Sequence, residues 1–131
     1  MVKKALFITS NVGVEHDELI QPLEFLKGQG IEVIHAAEKT QPVETVKNDK
    51  EPGPSYPPQA SLEQVSVEDY DILVIPGGTV NADTLRLNEH AHRIIQYFTE
   101  PLIKVSALTW KMRVHIGWMK QFIAAIPMNG P

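Results

Sequence analysis

An α/β fold built on a parallel sheet is what the sequence predicts, and three features predict it. The stretch Asp71-Ile72-Leu73-Val74-Ile75 is apolar at every position after its first and ends abruptly in Pro76-Gly77-Gly78. A run without polar alternation suits a strand covered on both faces, as the strands of parallel sheets are. Lys4 to Ser10 and Ile31 to Ala37 read as two further strands with an amphipathic helix between them. That order is a βαβ unit, whose crossover is right-handed. The third feature is a helical stripe, Ala91, Ile94, Ile95 and Phe98, after the glycine pair.

The elements follow in order. Asn11-Val12-Gly13-Val14 is expected to be the loop at the carboxyl end of the first strand. In the helix after it, Leu19, Leu23 and Leu26 recur at i, i+4 and i+7, with Ile20 alongside, and Gly28 and Gly30 stop it. From Glu38 to Ser61 the periodicity disappears and Pro42, Pro52, Pro54, Pro57 and Pro58 accumulate, which predicts a long surface excursion; Val43 to Lys47 is a candidate edge strand. Leu62 to Tyr70 leads into the central strand. Gly77 and Gly78 free the backbone for positive φ and for close approach of a ligand, in the crevice where open α/β sheets bind theirs; a plain strand-to-helix turn is the simpler alternative. Thr79 to Thr84 reads as a turn or helix start, and Asn88 caps the next helix. After Pro101 the pattern changes: Ile103 to Leu108 suggests a strand, and Met112, Ile116, Met119, Ile123 and Ile126 lie on one helical stripe.

Composition narrows the classes. With 131 residues, a formal charge of −4, 43% hydrophobic and 21% charged residues, the chain suits one soluble globular domain over 1–131. No lysine- or arginine-rich block is present, so nucleic acid is not an expected partner. No apolar stretch approaches the roughly 20 residues of a membrane helix. The opening Met1-Val2-Lys3-Lys4-Ala5-Leu6-Phe7-Ile8 imitates a secretion signal until Thr9-Ser10-Asn11 ends the apolar run, which leaves the cytoplasm as the expected compartment. The count of zero cysteines excludes disulfides, a thiolate nucleophile and cysteine-ligated metal within these residues. Nor do the histidines offer a metal spacing: His90 and His92 point to different sides of a helix, His16 adjoins Glu15 at a helix start, His35 ends a strand, and His115 lies in the atypical tail. No cofactor is expected.

Gly13-Val14-Glu15 after the first strand, Ile75-Pro76-Gly77-Gly78 after the central one and Leu85-Arg86-Leu87-Asn88-Glu89 opening a helix together resemble the ThiJ/PfpI family over about residues 3–100. That family is related to class I glutamine amidotransferases and includes intracellular proteases and glyoxalase- or deglycase-like enzymes. The resemblance implies a flavodoxin-like three-layer sandwich, altered here at its C-terminal end, and a homo-oligomer, dimeric or hexameric. It also implies a small carbonyl compound or peptide as ligand and a cysteine nucleophile on a strand-to-helix elbow. On the family pattern Glu15 matches the glutamate that hydrogen-bonds the thiol. The backbone around Gly77 and Gly78 matches the oxyanion site, and Asp83 the acid given across a subunit contact. Read without the family, Glu15 and Asp83 are carboxylates suited to helix amino termini.

The elbow itself is where the sequence departs. Aligning Lys104-Val105-Ser106-Ala107-Leu108-Thr109-Trp110 with it puts Thr109 where cysteine belongs, and threonine is a poor nucleophile without an adjacent base. A second reading comes from the genetic code. The codons of Trp118-Met119-Lys120, read two bases later, encode D-E; the same frame over Trp110-Lys111-Met112-Arg113-Val114 permits E-N-A-G and the positions before it S-I-R-T-D, which resembles a later family segment, S-I-R-T-D-L-x-N-A-G-x-x-W-V-D-E. On that reading a deletion removed the elbow and residues 101–131 are an out-of-frame tail. Either way the chain is expected to be a catalytically inactive relative of hydrolase- or lyase-like enzymes. The alternative is a non-catalytic oligomerising or small-molecule-binding module. An unrelated flavin- or phosphate-binding protein fits less well, because the first loop has no hydroxyl-rich phosphate cradle.

Overall fold

The computed structural model describes residues 3–99 and 123–125. Its main sheet takes β1 (Lys4–Thr9), β3 (Glu32–Ala37), β6 (Ala60–Ser61), β7 (Ile72–Ile75) and β8 (Ile123–Ala125) in the order β6-β3-β1-β7-β8. All neighbours are parallel except β8, which runs antiparallel to β7. Against one face packs α1 (His16–Gly28), which sets Leu19, Leu23 and Leu26 on Ala5, Phe7, Val33 and Val74. On the opposite face α2 (Thr79–Arg86) and α3 (Glu89–Thr99) set Leu85, Ala91, Ile94 and Phe98 on Leu6, Ile8 and Leu73. Odd and even positions of β1 thus feed two separate cores, which is why its sequence shows no alternation. The α/β sandwich expected from the sequence is the one observed.

Local chemistry sets the helix ends. Asn88 Oδ1 accepts from the backbone N–H groups of His90 (2.9 Å) and Ala91 (3.0 Å), the cap expected of α3. At the end of α1, Gly30 N–H donates to Lys27 and Ile31 N–H to Leu26, which satisfies carbonyls the helix leaves open. Pro22 sits inside α1. Having no N–H, it cannot bond the Glu18 carbonyl one turn earlier.

Three expectations need correction. Residues 12–15 are not a loop but β2 (Val12–Glu15), which joins β4 (Val43–Lys47) and β5 (Glu51–Tyr56) in a second sheet, order β2-β4-β5. The 38–61 stretch is therefore largely regular, and β4 is that sheet's middle strand rather than an edge. The prolines concealed β5: Pro52 and Pro54 are tolerated because β5 is the edge strand, where a missing N–H breaks no ladder. Of the two readings of residues 79–84, turn or helix start, the second is the observed one, and the helix is α2. In the tail, Ile123 belongs to a strand paired with Ile75 rather than to a helical stripe. The expected strand at 103–108, the remaining stripe positions and Thr109 lie outside the described residues.

Candidate functional site

At the carboxyl ends of β1 and β7, the chain after β1 and the Pro76-Gly77-Gly78 turn press together. Glu15 N–H donates to the Gly77 carbonyl at 3.0 Å. Gly78 has φ +118°, and a Cβ there would fall 2.2 Å from the Gly13 carbonyl oxygen. Gly13, at φ +84°, leaves only enough room for Val80, whose Cβ a side chain at 13 would meet at 2.5 Å. The glycines are thus needed for the approach of one loop to the other, as well as for their left-handed backbone. Asn81, fully buried, completes the junction: its Oδ1 accepts from Ser10 N–H (2.7 Å) and its Nδ2 donates to the Pro76 carbonyl (2.9 Å). Nothing in the sequence singled Asn81 out.

Two acids stand at this junction. Glu15 is the residue before α1, yet its carboxylate caps nothing in the helix. It turns to the β4–β5 hairpin, where its two oxygens accept from Asn48 N–H and Asp49 N–H, each at 2.9 Å. Glu18, one turn further along α1, is half-buried and its Oε1 has no hydrogen-bond partner. Burial, then the charge of Glu15, push its carboxyl up to about 7; the Gly77 backbone opposes this, and the charges of Asp49 and Asp17 add to it. Glu18 therefore exchanges its proton near neutrality and can donate a hydrogen bond as well as accept one. The sequence reading passed over it. A first-turn acid looks like any partner of the helix dipole, and the signal available was its i, i+3 spacing from Glu15, which puts both on one face.

The remaining candidates are dispersed. Asp83 pairs with Arg86 on the exposed side of α2 and lines a shallow cavity with Val80 and Leu87. His16 Nδ1 lies 3.1 Å from Asp17 Oδ1. His35 is wholly buried: Nε2 is 2.8 Å from Thr9 Oγ1, Nδ1 has no partner, and burial lowers its pKa to about 4, so it is neutral. His92 meets the Arg86 carbonyl. Among the described residues no group of three His, Asp or Glu side chains is placed to hold a metal ion, and no helix is long and apolar enough to cross a membrane. A larger, mostly apolar cavity of about 570 Å³ opens between β7, α2 and α3, lined by Ile75, Leu85 and Ile95.

Comparison with known proteins agrees with this architecture. The model of the DJ-1/PfpI family matches residues 3–110. An uncharacterised protein of Archaeoglobus fulgidus is 34% identical over 113 residues, covering 78% of this chain and 64% of that protein. Among solved structures, the VC2308 protein is similar with a TM-score of 0.68 and 25% identity, over 76% of this chain and 48% of its own. Drosophila melanogaster DJ-1beta is similar with a TM-score of 0.63 and 27% identity, over 73% and 49%. The chain thus spans under two thirds of the archaeal relative and about half of each of these structures.

Proposed function

We propose, from the premise that this chain belongs to the DJ-1/PfpI family, that these 131 residues form a non-catalytic small-molecule-binding member of it. They hold the acid and glycine-loop half of a site and no thiol. The observation that carries this reading is Glu18. Its carboxyl is half-buried and keeps an oxygen without a partner, and that burial pushes its pKa up to about 7. A carboxylic acid kept neutral at working pH can donate to a carbonyl oxygen. The ligand class is therefore a small carbonyl compound or the carbonyl of a peptide, bound without a covalent step.

On this reading Glu18 takes the part that the family pattern assigned to Glu15, whose carboxylate is occupied by the hairpin. With no cysteine in the chain, the hydrolase- or lyase-type chemistry of the family's thiolate has no nucleophile here. Methylglyoxal and peptide substrates should show no turnover above the protein-free rate. Titration with a small carbonyl compound should instead shift the Gly77 and Gly78 amide resonances in the parent and not in Glu18→Ala. Turnover that disappears in Glu18→Ala would overturn the non-catalytic assignment.

A second reading, an oligomerising module, is favoured by one patch. Val80 and Leu87 are 50% and 87% exposed and share the cavity that Asp83 lines. Apolar side chains grouped around an acid suit a contact between copies of this chain, dimeric or hexameric, in the cytoplasm. Sedimentation across a concentration series, with Leu87→Asp as the variant, separates this reading. A monomer at every concentration removes it.

A further inference from the structure

We propose that the tip of the β4–β5 hairpin is a strap fastened across the glycine loop by the carboxylates of Glu15 and Asp49, and that Glu18 becomes freely reachable from solvent only when this strap lifts.

Two carboxylates make the fastening, and they work in series. Glu15, at the start of α1, grips the tip by accepting from the Asn48 and Asp49 N–H groups. Asp49 passes the tie on to α2: its Oδ1 accepts from Thr79 N–H at 3.0 Å and its Oδ2 from the Thr79 hydroxyl at 2.5 Å. Thr79 directly follows Gly78, so the tip is bonded both to the residue before α1 and to the residue after the glycine turn. Below the tip the hairpin rests on the start of α1: a Cβ at Gly53 would be 3.6 Å from the His16 Cβ. Glu18 lies in α1, one turn beyond the gripped Glu15, and its Oε1 is closed off from solvent.

The turn residues are chosen for this contact rather than for the turn. Asn48 and Asp49 have φ of +54° and +63°, with Lys50 N–H donating to the Lys47 carbonyl, a tight turn whose two central residues are both left-handed. Such loops favour glycine at the second position, where aspartate is less comfortable. An aspartate there costs the turn something and supplies a carboxylate that reaches Thr79. The tip residues 47–50 are otherwise exposed and polar, except for the partly buried aliphatic packing further down β4. A segment held by exposed hydrogen bonds over a packed base opens at lower free energy than the sheet beneath it.

The test reads Glu18 without any ligand, so its failure leaves the binding reading standing and failure of that reading leaves the strap. Carboxyls are coupled to an amine with a water-soluble carbodiimide, located by mass spectrometry, and hydrogen exchange is followed at the Thr79 amide. In the parent, Glu18 should react well below the rate of exposed Glu63. Asp49→Ala, which removes both bonds to Thr79, and Glu15→Gln, which removes the charge behind both bonds to the tip, should each raise the Glu18 rate and the Thr79 exchange rate by about tenfold. Glu63 and the β1 and β3 amides should stay as they are. Thr79→Ala, which removes only the hydroxyl anchor, should give a smaller rise in the same direction and serves if the acidic variants lose their β1 protection. Parent Glu18 reacting as fast as Glu63, or a Glu18 rate unchanged in variants that keep β1 protection, would overturn the proposal.

Discussion

The sheet interior and the loop junction above it are built on opposite principles. Around β1, Phe7, Ile8, Leu23 and Phe98 are held by burial alone, with almost no polar contact between side chains. A few ångströms away, Glu15, Asn48, Asp49, Thr79 and Asn81 are held by hydrogen bonds to backbone groups, and much of that network is exposed. The interior stores most of the stability and the junction sets the geometry of the candidate site. A perturbation should therefore be large and global in the first, small and local in the second.

Four substitutions or conditions test that division, beginning with the greatest effect. Phe7→Ala removes a fully buried ring and should cost about 4 kcal/mol in urea unfolding, lowering protection throughout β1, β3 and β7 together. A cost under about 1 kcal/mol would mean the interior is not packed as described.

Acid should come next, through His35. Its folded pKa of about 4 lies below the usual 6.5, so the stability it contributes is complete above pH 6.5 and lost as pH falls toward 4. The loss amounts to about 3 kcal/mol over that window. His35→Gln, which can still bond Thr9, should flatten this limb when stability is measured between pH 4 and 7; an unchanged limb would contradict a buried neutral imidazole.

Asn81→Ala strips two buried backbone groups of their partners and should cost about 2 kcal/mol, with exchange rising first at Ser10. Glu18 should give the smallest effect, and of the opposite sign to His35. Its folded pKa is raised, so its contribution is present below the unfolded pKa and lost as pH rises through about 7. Glu18→Gln should gain about 1 kcal/mol relative to the parent on going from pH 5 to pH 8, the half-open position being partly screened by water.

The interior was legible in the sequence because hydrophobic periodicity records it directly. The uninterrupted apolar runs gave β1 and β7, and the stripes gave α1 and α3 with its Asn88 cap. The junction was not, for reasons that differ by residue. β2 is four residues with a glycine in the middle, too short for a period to show. Pro52 and Pro54 hid a strand that only its edge position permits. The hydrogen bonds of Glu15 could not be read locally, because its partners lie more than 30 residues away at Asn48 and Asp49. The proton affinity of Glu18 follows from burial beside Gly77 and the hairpin, which no local pattern encodes. Thr109, the position on which the nucleophile question turns, is outside the described residues.

The most direct measurement is the carboxyl titration of Glu18 by carbon NMR in the intact chain. A midpoint near 7 is expected, with the proton shared between Glu18 and solvent at the pH where a carbonyl ligand would bind. A midpoint in the ordinary carboxylate range would show that the acid at the glycine loop is an exposed anion, and the half-site reading would fall with it.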